Sequence, residues 1–313
     1  MSSPRKLERD FVHADIAAVS SLLDQLGDED VMARFGLEAR LEELQTVIAQ
    51  LGDAPEEPTA SAALFFGGRP VLGSRGIESE FGGAAITRFQ DLVAKMLAHE
   101  TGGLGMRGVV PNKGASTLHI TNIVRGSFGF LLEEVQPQQQ LMDTALKNAV
   151  DEATRLLDAF GEPDEEQFRS AVETIDQRVL GTAREFFDLM RQSGATLRLV
   201  AGQTDRSFGA DAVARAAERA TTTTVEDVPE TIQGQLAGVL PDAHQFEFRA
   251  SPERGTIRGK VDKTLSVEEL TSFNRDWVNV DASAQMHVKR VLRNGTIVRE
   301  GFTLLALSAP DMR

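Results

Sequence analysis

Gly103-Leu104-Gly105-Met106-Arg107-Gly108 spells G-x-G-x-x-G, the spacing with which a tight turn brings helix N–H groups onto a pyrophosphate. That chemistry needs a strand before the glycines and a helix after them. Here a helical pattern precedes, and Val109-Val110-Pro111 follows, with Pro111 disfavouring helix at Val110. The segment 101–116 therefore reads as a glycine-rich surface loop. The five histidines, His13, His99, His119, His244 and His287, include no i, i+4 pair, so no helix carries a zinc pair. His99-Glu100 begins like H-E-x-x-H, but Gly103 stands where the second histidine is required. Cysteine is absent, which excludes disulfides, thiol catalysis and cysteine-ligated metals.

Nucleophile signatures are equally thin. Gly126-Ser127-Phe128-Gly129 and Gly73-Ser74-Arg75-Gly76 lack the G-x-S-x-G spacing of a nucleophile elbow. Asn112-Lys113-Gly114 reads as a turn, not as a phosphate-binding loop. The acidic runs Glu42-Glu43, Glu133-Glu134 and Asp164-Glu165-Glu166 fall where solvated helix faces or element ends are expected. Thr204-Asp205-Arg206-Ser207 is the best enzyme-like candidate, because it follows an expected strand and precedes an expected helix. Asp205 or Ser207 serving as a plain helix N-cap is the simpler account. No catalytic residue, cofactor or metal is assigned.

One set of cations has a better claim to a binding role. Arg258 and Lys260 alternate with Ile257 and Val261, so they share the face opposite the apolar one. Arg249 stands opposite Phe246 and Phe248 in the same way, and Lys289 and Arg290 come from a later strand. Base stacking on such a surface also requires exposed aromatics. The chain has no tyrosine and one tryptophan, Trp277, and Phe246 and Phe248 are expected in the core.

The elements that carry this set are the most legible in the chain. Thr231–Val239, Gln245–Arg249 and Thr256–Asp262 alternate apolar and polar residues, as half-buried strands do. Ser266, three residues before Glu269, matches a capping box at the start of a short helix. Ala284–Leu292 and Thr296–Leu307 follow as two strands, joined at Arg293-Asn294-Gly295, where Asn-Gly signals a hairpin turn. Three strands, a short helix and two strands match the oligonucleotide/oligosaccharide-binding (OB) small barrel. Gly234, Gly238 and Gly259 would weaken a flat sheet but suit the coiling of a small barrel.

Upstream, residues 11–51 read as a helical hairpin. The first helix carries Val12, Ile16, Val19, Leu22 or Leu23, and Leu26 on one stripe, and Gly27-Asp28-Glu29-Asp30 breaks it. In the second, Leu37, Leu41, Leu44, Ile48 and Leu51 form a narrow coiled-coil-like seam. That seam packs on its own first helix or on the next domain, or forms an interface between copies. Gly52–Thr59, with Pro55 and Pro58, is a linker. A hairpin of Ala62–Phe66 with Arg69–Leu72 is expected next, then a helix through Ile86, Phe89, Met96 and Leu97. A second hairpin joins Thr117–Val124 to Ser127–Glu133 through Arg125-Gly126. Two long helices follow, one from Leu141 to Phe160 and one from Pro163 to Met190, then a strand at Thr196–Val200 and a helix over 209–220. Thr221-Thr222-Thr223-Thr224 marks the expected boundary before the barrel.

The predicted fold is thus α+β: a helical hairpin over 1–58, a mixed central domain over 59–225 with antiparallel hairpins and two long helices, and an OB-like barrel over 226–313. The 313 residues carry a net charge of −14. Residues 229–313 hold 11 Lys and Arg against 11 Asp and Glu, so all of the net acid lies before them. Non-specific wrapping of DNA, which needs many cations, is therefore excluded for the body of the chain. The N-terminus has no apolar secretory core and no apolar run reaches membrane-spanning length, so a cytoplasmic location without membrane contact is expected. The composition suggests a bacterial source. These features lead to a non-enzymatic binding or scaffold protein, one component of a bacterial multi-protein assembly such as a phage-defence system. Its partner would be another protein or a second copy. The alternatives are a nucleic-acid sensor using the barrel, and an enzyme with a site near Asp205–Ser207 or in the 101–116 loop.

Overall fold

The computed structural model describes residues 5–27, 30–53, 57–102, 104–105, 108–124, 128–135, 142–252 and 254–310. The protein is a mixed α+β chain that forms two compact units. The first comprises Met1–Pro163 and Gly181–Ala220, the second Asp164–Leu180 and Thr221–Arg313. In chain order the elements are α1 (Arg5–Gln25), α2 (Val31–Asp53), β1 (Ser61–Gly68), α3 (Ser79–Glu100), β2 (His119–Val124), β3 (Phe128–Glu133), α4 (Ala145–Gly161), α5 (Glu165–Glu173), α6 (Gln177–Ser193), β4 (Ala195–Ala201), β5 (Thr204–Phe208) and α7 (Ala210–Thr222). Then come β6 (Thr223–Leu240), β7 (Gln245–Arg249), β8 (Thr256–Val261), α8 (Val267–Trp277), β9 (Asp281–Arg293) and β10 (Thr296–Ser308).

In the first unit, α1 and α2 pack on each other as the helical hairpin. Of the seam positions on α2, Leu44 is buried, at 4% exposed, and Leu37, Leu41, Ile48 and Leu51 are half-buried. On α1 the stripe runs through Leu23, while Leu22 is half exposed. Asp28-Glu29 of the break, and Pro55 and Glu56 of the linker, lie outside the described residues.

A five-stranded sheet in the order β2-β3-β1-β4-β5 forms the centre of this unit. Here one expectation is corrected. Arg69–Leu72 is not a strand partner of Ala62–Phe66, and Val71 makes only an isolated bridge with Ile77. β1 instead runs between β3 and β4, antiparallel to both. The physical sign is burial: Ala62 to Phe66 are all buried, as a central strand covered on both faces requires. Gly67-Gly68 imitates hairpin punctuation, but Gly68 has φ +83° and a Cβ there would lie 2.3 Å from the Gly194 carbonyl. On one face Phe66 meets Phe81 of α3 edge-on at 5.4 Å and Phe130 of β3 at 6.3 Å. On the other, Ala63, Phe65, Leu131 and Val200 are covered by Leu7 of α1. The β2–β3 hairpin forms as expected, though its turn at Arg125-Gly126 lies outside the described residues.

The helix expected from Leu141 is α4, starting at Ala145 behind the N-cap Thr144; Leu141 lies outside the described residues. The C-terminal carbonyls of α4 are met by Arg219 of α7, which is 3% exposed and donates to Ala159 and Phe160 at 3.2 Å. The second long helix is two helices. Its apolar period is continuous, but Asp176 accepts from the Arg178 and Val179 amides at 2.8 and 2.9 Å and starts α6 afresh. Thr204–Ser207, expected between a strand and a helix with Asp205 or Ser207 as an N-cap, is itself a strand. It belongs to β5, paired antiparallel with β4, and its polar sequence fits an edge strand.

The second unit contains a closed five-stranded barrel in the order β10-β8-β7-β6-β9. All five expected strands are present, and β6 is longer than expected because it starts at Thr223, directly after α7. β8 and β10 run parallel, and their ladder comprises Thr303↔Lys260 and Leu304↔Val261. The inward residues include Ile232, Leu236, Phe246, Phe248, Ile257, Val261, Met286 and Leu304. Burying a Leu or Phe side chain contributes roughly 1.5–3 kcal/mol. α8 begins at a complete Ser266/Glu269 capping box, buries Leu270 in the barrel, and fixes itself to β6 through Asn274. The Asn274 amide bonds both backbone groups of Val239, at 2.7 and 2.8 Å. Gly234 is required by close approach, since a Cβ would lie 2.1 Å from the Arg249 carbonyl. Outside the barrel, α5 packs on β9 and β10, where Arg293 pairs with Glu165, and Arg299 with Glu166 at 2.8 Å and Glu173 at 2.7 Å.

Candidate functional site

A cleft of about 880 Å³ opens on the side of the barrel. Strands β7 and β8 form one wall and β10 the other, and the end of β6, Lys289 of β9 and the end of α5 complete it. Its shape follows from the short β8–β10 ladder. Gly259 of β8 sits inward beside Phe246, and a Cβ there would lie 2.2 Å from the Phe302 carbonyl of β10. Gly301 lets β10 pass under Glu173, whose carboxylate would be 3.4 Å from a Cβ at that position.

Three of the five cations expected to form a binding face meet in this cleft: Arg258, Lys260 and Lys289. Arg258 is an exposed rim residue, 78% accessible, with Glu247 opposite it at 3.4 Å. Lys260 is exposed and Lys289 half-buried, and among the described residues neither has an ion pair. Burial pushes the Lys289 ammonium below the ordinary lysine range, against the pull of Asp227, Asp176 and Glu173, and Lys260 pushes it further down. The other two cations are placed elsewhere. Arg249 donates to Asn279 at 3.1 Å. Arg290 is 18% exposed and held between Glu230 and Glu300, the latter at 2.8 Å. Its hydrogen bond to Glu300 raises its pKa, so it stays charged and committed to structure.

Sequence reasoning missed Glu173, Thr174, Gly301, Phe302 and Thr303 as parts of the site. A glycine inside a strand was the available signal for Gly301, as it was for Gly259. Nothing in the local pattern points to Glu173 and Thr174, which reach the cleft from a helix far upstream.

The acidic runs serve structure. Glu43 pairs with Arg40 at 2.7 Å, and Glu134 accepts from the Ala60 amide at 2.9 Å and from Thr144 at 2.6 Å. Glu133, 7% exposed, accepts from Thr121, and Asp164 caps α5. Asp205 is part of a charge cluster on the sheet. It takes a two-pronged contact from Arg198 at 2.7 and 2.9 Å and a third from Lys6 at 3.4 Å. The hydrogen bond from Arg198 holds its carboxyl below the usual aspartate range. Such a carboxylate is ionised and occupied, a poor general base. Arg206 pairs with Asp158 at 2.9 Å.

Within the 101–116 loop, Gly103, Met106 and Arg107 lie outside the described residues, as does Gly126-Ser127. The end of the loop is a 3-10 turn, Lys113–Ser116, tied to α3 by Lys113–Asp91 at 2.7 Å and by Gln90, which accepts from the Leu118 amide at 2.9 Å. His13 and His119 are exposed on α1 and β2, and His99 lies in the last turn of α3. His244 occupies a turn with φ +47°, and His287 pairs with Asp227 at 2.9 Å. Among the described residues no group of three His, Asp or Glu side chains comes together to hold a metal ion, and no helix is long and apolar enough to cross a membrane. The chain matches no family model, and neither a curated protein nor a solved structure shows significant similarity to it.

Proposed function

We propose that the protein is a non-enzymatic binding component of a larger assembly, and that the barrel cleft is its ligand surface. The observation that carries this is the convergence of Arg258, Lys260 and Lys289, from two strands distant in sequence, on one cleft. The finer identity of the barrel as an OB fold belongs to the same proposal. Numbered within the barrel, the strands follow 1-2-3-5-4 with a helix between the third and fourth, and the third and fifth run parallel. In an OB barrel the second and third strands and the adjoining loops take the ligand. Here those strands are β7 and β8, which form one wall of the cleft. A cytoplasmic setting, a bacterial source and a role such as phage defence remain part of this proposal without a residue that singles them out.

Partner docking is assigned to the helical hairpin. Its seam is at least half-buried, and the most exposed apolar set lies at its turn, Val31, Met32 and Phe35, with Met32 84% and Phe35 71% exposed. Light scattering over a range of concentrations tests self-association. A strict monomer, unchanged by Met32→Glu/Phe35→Glu, removes it.

The nucleic-acid reading is favoured by the same three cations and opposed by the aromatics. Phe246 is 4% exposed and Phe302 only partly so, which leaves bases little to stack on. Salt-dependent binding of labelled single-stranded DNA or RNA, with Arg258→Glu/Lys260→Glu as the control, decides it. Binding that the double variant loses sustains this reading, and no binding at low salt removes it.

A further inference from the structure

Lys289 is surrounded by charges that are already engaged. Asp227 of β6 pairs with His287 at 2.9 Å, Glu173 of α5 with Arg299 at 2.7 Å, and Asp176 accepts from the first amides of α6. These carboxylates still pull on Lys289 through space, while Lys260 of β8 is a like charge that pushes against it. Two ammonium groups thus share one cleft with no interposed carboxylate bonded to either among the described residues. An anion entering between them would give both ammonium groups a direct partner.

We propose that the cleft binds a small phosphate monoester with a hydroxyl-bearing body, the phosphate lying between Lys289 and Lys260. This rests on the reading of the cleft as the ligand surface. A monoester carries about −1.5 to −2 charge at neutral pH, which matches two lysines. A phosphodiester within a chain carries half of that and is flanked by chain on both sides. Lys289 is half-buried at the cleft wall while Arg258 stands at the rim, so a terminal phosphate fits the inner position better. The volume of about 880 Å³ lies within the range of small-molecule sites, roughly 300–1,000 Å³. Phe302, only partly buried, offers the body an apolar contact. Glu247 and Glu300 each spend only part of a carboxylate on arginine, and their remaining oxygen lone pairs can accept from sugar hydroxyls.

The test is calorimetric titration of the full chain with ribose 5-phosphate, AMP, ribose and a short oligothymidylate, with thermal denaturation in parallel. Both phosphate monoesters are expected to bind and raise Tm, and ribose is not. Lys289→Gln should lower monoester affinity about tenfold or more, which corresponds to roughly 1.4 kcal/mol. Lys260→Gln should lower it less, and both variants should keep the wild-type circular dichroism. Affinity should also fall as pH rises through the lowered Lys289 pKa towards the ordinary lysine value of about 10.4, and this fall should be smaller in Lys289→Gln. Equal binding of ribose and ribose 5-phosphate, or an unchanged affinity in Lys289→Gln, overturns the proposal. If the oligothymidylate binds and the monoesters do not, this inference fails while the ligand-surface reading stands. If nothing binds, both fail.

Discussion

Asp205 and Lys289 are both partly shielded charges on β-strands, and their surroundings differ in kind. Asp205 meets the Arg198 guanidinium with two parallel hydrogen bonds, and Arg198 in turn lies 5.5 Å over the Phe65 ring and reaches Asp10 at 3.1 Å. Every group there has a partner, so the cluster ties α1, β4 and β5 together and leaves no charge for a ligand. Lys289 has carboxylates around it, but each is bonded to another group. A desolvated charge with no bonded partner lowers stability, and its retention is easier to explain by binding than by folding.

Four experiments bear on that contrast, and the first has the largest effect. Gly259→Val places side-chain atoms where the Phe302 carbonyl already stands, 2.2 Å from a Cβ. It should destabilise the protein by about 3 kcal/mol in urea unfolding. A variant as stable as wild type would show that β8 and β10 can part freely and that the cleft has no fixed shape. Next, Arg198→Met removes the fork on Asp205. Hydrogen bonds to charged groups are worth about 1.5–3 kcal/mol, and the Arg198 side chain is 38% exposed, so a loss of roughly 1–2 kcal/mol is expected. In the opposite direction, Lys289→Met should raise stability by about 0.5–1 kcal/mol in the absence of ligand. A loss as large as that of Arg198→Met would mean that Lys289 is structural, and the contrast would collapse.

The smallest effect is the pH dependence, whose sign differs between the two clusters. The folded pKa of Asp205 is lowered, so its contribution is complete above the ordinary aspartate value of about 3.9 and is lost as pH falls through the folded value. The folded pKa of Lys289 is also lowered, but for a base this penalises the charged state. Wild-type stability should therefore gain on Lys289→Met by a few tenths of a kcal/mol or more as pH rises through that lowered value towards about 10.4. Unfolding curves of the wild type and both variants across acid and alkaline pH read both signs. Parallel curves in the alkaline limb would remove the claim of a desolvated lysine.

The sequence was most legible where one periodicity had one cause. β7 and β8 alternate because one face meets the barrel core, and the Leu37–Leu51 seam spaces its residues as a packed helix does. It misled where two causes leave the same trace. Gly67-Gly68 punctuates like a hairpin, yet it marks where β1 passes close to Gly194. The apolar period from Phe168 to Met190 runs across two helices, because Asp176 breaks hydrogen bonding without breaking the period. Thr204–Phe208 is a strand in spite of its polarity, since an edge strand with one partner need not be apolar. For the site, Arg249, Arg258 and Lys260 could be named from alternation, and Lys289 and Arg290 from their place in a later strand. What separates them is position: Arg249 and Arg290 are held outside the cleft by Asn279, Glu230 and Glu300, a matter of three-dimensional neighbours that no local pattern encodes.

The ion pairs between α5 and the β9–β10 hairpin also set an order of events during synthesis. Arg293 follows Glu165 by 128 residues, and Arg299 follows Glu166 by 133. At translation rates of about 5–20 residues per second, the acidic helix leaves the ribosome on the order of ten seconds before its arginines exist. Throughout that interval the acidic face of α5 lacks its Arg293 and Arg299 partners, and the apolar residues of the barrel emerge with their outer support already made but unfastened. A slow-translating stretch or a chaperone acting over residues 174–290 would therefore change the yield of folded barrel without altering any contact in the finished protein.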